Sequence, residues 1–263
     1  MQDKEKRPVI ETFHLSTGYR HHGKETVVSR DVNETLYNGE LTCLLGRNGS
    51  GKSTILKTLS GFIPPLGGSI EIAGKKLSDY SPAQMSKVIG VVLTERLTMA
   101  NMTVRELVET GRSPYTGYWG RLGKEDKRIV EEAMEAVNII SLADRQVITL
   151  SDGERQKSLI AKALAQETPV IFLDEPTAFL DYPSKAETLI LLRNLARERQ
   201  RTVFLSTHDI EVALRIADKL WLLDKENGIV TGTPDSLSRD GEIGRFFDTD
   251  GMKYDPHTRT FEL

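Results

Sequence analysis

Nothing in this chain restricts its fold more than the run Gly46-Arg47-Asn48-Gly49-Ser50-Gly51-Lys52-Ser53-Thr54. Two glycines with four residues between them, followed by Lys and Ser, fit a phosphate-cradling loop. Glycines let backbone N–H groups approach a phosphate chain without a clashing Cβ. Lys52 would neutralise charge on the outer phosphates, and the Ser53 hydroxyl would ligate Mg²⁺. The dipole of a following helix adds attraction for an anion. Leu41 to Leu45 reads as a buried strand before the loop. Ser53 to Leu59 reads as a helix after it, stopped at Gly61. Strand, Gly-rich loop and helix in that order are the context the motif requires, and they point to an α/β core.

The bulk numbers agree with one large domain or a core carrying an insertion. The chain has 263 residues and a formal net charge of −3. Its isoelectric point of about 6.0 argues against a nucleic-acid binder relying on a basic surface. The lone Cys43 lies in an expected core strand, so a disulfide framework is impossible and a reducing compartment is expected. The segment Met1 to Pro8 has no apolar stretch after its charges and does not read as a signal peptide. Mean hydropathy is −0.34, and no window approaches ~18 uninterrupted apolar residues. Work at a membrane would need a partner.

Further strands follow from short apolar runs. Val9 to Leu15 is a first strand, and Ser69 to Ala73 alternates with period two. Val88 to Leu93, Val170 to Leu173 and Thr202 to Leu205 have the character of buried parallel strands. Lys219 to Leu223 and Ile229 to Thr231 flank Asn227-Gly228, a hairpin signal. Between about 95 and 165 the pattern turns helical. Thr103 caps a helix through Glu109 ended by Gly111, and Lys124 to Val137 carries an apolar stripe. Ser151 opens a helix ending near Gln166, and Pro183 starts a long one. Residues 236–263 are polar, contain the turn signals Asp250-Gly251 and Asp255-Pro256, and point to no role.

Two more groups carry chemistry. The strand Val170 to Leu173 ends in Asp174 and Glu175. A buried strand delivers side chains rigidly to its C-terminal edge, where ligands of open α/β sheets bind. Asp174 suits an Mg²⁺ site. Glu175 would orient or deprotonate a water. His208 emerges beyond another core strand and would donate a hydrogen bond to a terminal phosphate. In Leu150-Ser151-Asp152-Gly153-Glu154-Arg155-Gln156, Ser151 and Glu154 form a capping box. The same helix N-terminus, with Gly153 exposing backbone, also suits a phosphate.

These pieces in this order resemble the ATP-binding subunit of ABC transporters over roughly residues 9–232. Leu150 to Glu154 resembles that family's signature, Ala178-Phe179-Leu180-Asp181 its D-loop and His208 its switch histidine. Tyr19 resembles the aromatic that stacks on adenine. The resemblance implies an α/β P-loop core of the RecA-like type with a mostly parallel sheet. It adds an N-terminal antiparallel part and an inserted helical subdomain. The core spans about 1–93 and 166–235, the helical part 94–165 and the tail 236–263.

It also implies a mechanism. Two copies face head to tail, and ATP on the loop of one is completed by Ser151, Gly153 and Glu154 of the other. Hydrolysis uses Glu175 as base, with His208 holding the γ-phosphate. Closure drives polytopic permease subunits at the cytoplasmic face of the cell (inner) membrane. A substrate-binding protein is involved indirectly, and nucleic acid is not. Val104 to Val108 followed by Gly111-Arg112-Ser113-Pro114-Tyr115 resembles importers of iron–siderophores, haem and vitamin B12. A soluble ABC-type ATPase, such as one assisting Fe–S cluster assembly, is the alternative. A P-loop kinase or GTPase leaves the signature segment and Tyr19 unexplained.

Two departures stand out. Asp152 and Glu154 replace the family's usual Gly and Gln. Thr94, followed by Glu95, stands where the family has a Gln contacting Mg²⁺ and the attacking water, and Thr94 is the candidate metal contact there.

Overall fold

The computed structural model describes residues 6–21, 23–93, 102–117, 120–225 and 228–262. The chain divides into two compact units, Met1–Asp79 with Arg193–Leu263, and Tyr80–Leu192. The first stretch of unit 1 runs β1 (Pro8–His21), β2 (Lys24–Val32), β3 (Thr35–Tyr37), β4 (Leu41–Gly46), α1 (Lys52–Leu59), β5 (Gly67–Ile72) and β6 (Lys75–Lys76). An antiparallel sheet of order β2-β1-β5-β6, with β3 also on β1, buries Ile10, Leu15, Leu36, Ile70 and Ile72. The sequence reading lacked β2 and β3. α1 ends as expected: Gly61 takes φ +79°, and the Phe62 N–H donates to the Lys57 carbonyl at 2.9 Å. That 6→1 bond at a left-handed glycine satisfies a carbonyl the helix leaves open.

Unit 2 contains α2 (Pro82–Met85), β7 (Ile89–Val92), α3 (Val104–Glu109), α4 (Lys124–Ala136), α5 (Asp152–Ala165), β8 (Val170–Asp174) and the first part of α6 (Tyr182–Arg199). β7 and β8 pair in parallel, with Val92 opposite Leu173. The apolar stripe expected on α4 is buried at Ile129, Val130, Ala133 and Met134. Pro183 is the second residue of α6, so the helix begins one residue before it.

The segment Gly111-Arg112-Ser113-Pro114-Tyr115 has a packing role inside this unit. A Cβ on Gly111 would lie 2.3 Å from the Lys162 carbonyl, so glycine is what lets this turn touch α5. The Arg112 side chain is buried. It donates to Asp126 Oδ1 at 2.9 Å, Glu167 Oε2 at 2.9 Å and the Ala165 carbonyl at 2.8 Å. Its guanidinium lies 4.3 Å from the centre of the Tyr115 ring. The Tyr115 hydroxyl donates to the Gln166 carbonyl at 3.0 Å. One planar cation thereby ties α4 to the end of α5.

Unit 1 resumes with β9 (Thr202–Thr207), α7 (Ile210–Ile216), β10 (Lys219–Asp224), β11 (Gly228–Gly232), α8 (Pro234–Arg239), α9 (Glu242–Phe247), β12 (Lys253–Asp255) and β13 (Thr260–Glu262). The strands stand in the order β11-β10-β4-β9. β10 and β9 flank β4 in parallel, and β11 is antiparallel to β10. Every residue of β4 and of β9 is buried, as strands covered on both faces must be. Phe204 and Trp221 pack edge to face inside, their centres 5.2 Å apart. The expected β10–β11 hairpin is present, with Gly228 at φ +71°, while Asn227 lies outside the described residues. The tail beyond 232 is folded into two helices and a hairpin, where the sequence suggested only turns. Its short helices bury Leu237, Ile243, Phe246 and Phe247.

Removing the Arg112 cation leaves two carboxylates facing a gap. Arg112→Met is expected to lower unfolding free energy by about 3 kcal/mol, at the low end for breaking a buried ion pair. Arg112→Lys, with no planar fork, should recover little of it. Urea unfolding of the full chain measures both.

Candidate functional site

In unit 1 the phosphate loop joins the buried end of β4 to α1. Each glycine has its own reason. A Cβ on Gly46 would meet the Leu223 carbonyl at 2.7 Å and Ser50 Oγ at 2.6 Å. Gly49 takes φ +77° with open space around it. Gly51 takes φ +109°, and a Cβ there would lie 2.0 Å from Val28 Cγ1 of β2. The loop closes on itself through the Ser50 N–H, which donates to the Arg47 carbonyl at 3.1 Å. Lys52 is only 6% exposed, and its ammonium donates to the Gly46 carbonyl at 2.9 Å. A buried cation is thus held inside the turn by backbone oxygen. Ser50 Oγ is buried with no hydrogen-bond partner among the described residues. Arg47, Asn48, Gly49 and Ser53 are exposed on the loop's surface, whereas Thr54 is buried.

Two other expected residues of unit 1 come to this loop. Tyr19 is 45% exposed, and its hydroxyl accepts from Thr54 Oγ1 at 3.0 Å in the first turn of α1. The tyrosine is anchored by its polar end while its ring stays open to a planar ligand. His208 follows Thr207, which pairs with Leu45 across the parallel β4–β9 ladder. His208 is exposed and stands at the same sheet edge as Gly46. Asp209 caps α7 just beyond, accepting from the Val212 N–H at 3.3 Å.

The sequence profile described as ABC transporter matches residues 29–178, more than half of the chain. The chain belongs to the ABC transporter family. Over 255 residues it is 42% identical to an uncharacterised ABC transporter ATP-binding protein of Methanocaldococcus jannaschii, covering 97% of this chain and 87% of that one. It is 35% identical to the iron(3+)-hydroxamate import ATP-binding protein of Bacillus subtilis, covering 97% and 95%. A dimeric bacterial ABC transporter cassette superposes with a TM-score of 0.77 at 27% identity, covering 86% of this chain and 98% of that one. The α/β P-loop class with its antiparallel N-terminal part is therefore the fold of this ABC cassette.

Unit 2 of the cassette holds the other expected residues. Asp174 is the last residue of β8 and is 3% exposed. Glu175 follows at φ +46°, a left-handed conformation that costs a non-glycine residue about 1–3 kcal/mol. Strain of this size at the edge of a rigid strand marks a residue whose placement is over-determined by its surroundings. The segment 178–181, expected to be the D-loop, ends at Asp181, whose carboxylate accepts from the Ser184 N–H at 3.1 Å and caps α6. Hydrogen bonds from the Ser184 hydroxyl and then from its N–H hold the Asp181 carboxyl below the usual range.

The signature opens α5 as a full capping box. Ser151 Oγ accepts from the Glu154 N–H at 3.3 Å, and Glu154 Oε2 accepts from the Ser151 N–H at 2.8 Å. Arg145 stands 3.5 Å from the other Glu154 oxygen. Glu154 thus turns back onto its own helix, as the sequence suggested. Asp152, which had no explanation, pairs with Arg155 at 3.2 Å. That i,i+3 spacing was open to reading; the Arg145 contact was not. Gly153 sits against the D-loop, where a Cβ would come 3.2 Å from the Phe179 carbonyl and 3.4 Å from Leu180 Cδ2. Thr94 and Glu95 lie outside the described residues.

The Glu154 carboxyl is held below its ordinary value of 4.5, first by the Ser151 backbone N–H and then by its hydroxyl. A depressed acid stabilises the fold above its unfolded pKa and ceases to do so as pH falls through the lower folded value. The stability advantage of the wild type over Glu154→Gln should therefore be full above pH 4.5 and vanish on acidification. Melting temperatures of both across an acid series test this, and an advantage surviving full protonation would contradict it.

Proposed function

We propose that this chain is the ATP-binding and ATP-hydrolysing subunit of an ABC importer for an iron complex, siderophore or haem, or for cobalamin. The observation that carries the cargo class is the hydroxamate-import relative, matched along 97% of this chain. The segment 104–115, with its resemblance to iron–siderophore and cobalamin importers, supports the same reading. Nothing in the cassette favours the soluble alternative.

The loop fits a triphosphate. A buried Ser50 hydroxyl with no partner among the described residues, and a buried Lys52 ammonium beside it, are groups that gain from an anion. Tyr19 offers a ring face for adenine, and His208 a donor at the same sheet edge. Ser53 and Asp174 would hold Mg²⁺, which supplies charge neutralisation on the β- and γ-phosphates. Among the described residues no cluster of three His, Cys, Asp or Glu could hold a metal alone. Glu175 would take the proton of the attacking water. In a head-to-tail dimer, Ser151 and Gly153 of a second copy would present the N-terminus of α5 to the same nucleotide. Glu154 supports them through the cap.

Among the described residues no helix is long and apolar enough to cross a membrane. The cassette would act from the cytoplasmic face on separate polytopic permease subunits, with a substrate-binding protein contributing indirectly. ATP, as a ligand preferring the closed dimer, would bias those subunits.

Lys52→Ala is expected to weaken Mg-ATP binding and remove turnover. Glu175→Gln should retain ATP binding but lose about 10²–10⁴ in kcat, the worth of a positioned base. A steady-state phosphate-release assay reads both. Normal turnover by Glu175→Gln would overturn the assignment of the base. Co-purification of the tagged chain with a polytopic membrane protein tests the importer reading, and its absence from a membrane complex in the source cells would contradict it.

A further inference from the structure

The C-terminal module had no role in the sequence reading. It is folded and anchored, and it reaches the phosphate loop. α8 packs beside β11 and α9 against β10. Ile243, Phe246 and Phe247 occupy i, i+3 and i+4 on α9 and are all buried. Asp248, the residue after α9, is the junction of the module. Its N–H donates to the Gly244 carbonyl at 2.8 Å, and its carboxylate accepts from the Tyr254 N–H at 2.9 Å, tying helix to hairpin. The Tyr254 and Ser238 hydroxyls meet at 2.5 Å, and Arg259 pairs with Asp235. The Asp248 carbonyl accepts from Arg47 Nη2 at 3.2 Å, a link across 201 residues of sequence.

Arg47 is where such a link has leverage. Its own carbonyl accepts the Ser50 N–H that closes the phosphate loop, and Lys52 Nζ stands 3.5 Å from the same oxygen. Its side chain is held from outside while its backbone organises the loop from inside. We propose that the C-terminal module positions the phosphate loop through the Arg47–Asp248 link, so that Asp248 is a positioning residue for nucleotide binding. The proposal rests on the nucleotide reading of that loop. Preorganised donors bind an anion without the cost of ordering the loop at the moment of binding. Loosening the module should therefore raise the apparent Kd and KM for ATP while leaving kcat nearly intact. A group acting on the reacting phosphate would change kcat instead.

The test is a double-mutant cycle in the full-length chain, with Mg-ATP binding followed by calorimetric titration and turnover measured alongside. Asp248→Gly removes the Tyr254 contact and frees the backbone that presents the carbonyl. Arg47→Ala removes the donor from an exposed position. Each single variant is expected to weaken Mg-ATP binding about five-fold, the scale of one typical net hydrogen bond. The double variant should be no weaker than either single, because both break one linkage. Wild-type affinity in Asp248→Gly would overturn the proposal, as would effects that multiply in the double variant. Either result would mean that Arg47 acts without the module. A wild-type protein that binds no Mg-ATP would instead defeat the functional reading itself, and that outcome is separate.

Discussion

Gly46 and Lys52 close a turn in which a buried ammonium rests on a backbone carbonyl, and the arrangement of unit 1 follows from it. The Gly46 carbonyl is 2.9 Å from Lys52 Nζ, and no side chain fits at Gly46 between Ser50 and the Leu223 carbonyl. β4 must therefore lie tight against β10, which supplies Leu223. The first helical turn must then present Thr54 to Tyr19, as it does. Gly51 at φ +109° has Val28 of β2 against it, so the antiparallel sheet is also held to this turn. A cation out of water is costly unless paired or coordinated. The Gly46 carbonyl supplies part of that coordination.

Polar satisfaction in unit 2 is achieved by different means. Arg112 serves three acceptors from within the helical layer. The signature carboxylates, which would repel a nucleotide if they faced it, are turned aside. Glu154 is occupied by its own cap and by Arg145, and Asp152 by Arg155. The departure from the family's Gly and Gln is thereby accommodated by a cap that uses the N–H groups of Ser151 and Glu154 and not those of Asp152 and Gly153. Glu175 bears backbone strain at the end of a strand whose five residues are all buried. A rigid strand end can hold a backbone conformation of this kind in place.

Much of this was legible in the residues. The buried strands declared themselves as apolar runs, and the loop by its glycines and Lys52. The caps at Thr103 and Ser151 were visible because Ser or Thr three residues before Glu has a local mechanism. What was hidden depended on distant partners. β2 is polar along most of its length and exists because β1 pairs with it residue by residue, so no apolar pattern announced it. α9 carries an apolar i, i+3, i+4 pattern, but six residues are too few to be read as a helix before β10 is known to lie beneath it. The strain at Glu175, the burial of the Ser50 hydroxyl and the Arg47–Asp248 link are properties of three-dimensional closure. The sequence offers no local sign of them.

In the proposed dimer the phosphate loop of one copy and the α5 N-terminus of another share one ATP. Size-exclusion chromatography with light scattering on Glu175→Gln, with and without Mg-ATP, tests it most directly. Slow hydrolysis should trap the closed state, so a shift from monomer to dimer that requires Mg-ATP is the predicted result. Glu175→Gln protein that binds Mg-ATP and remains monomeric would contradict the account.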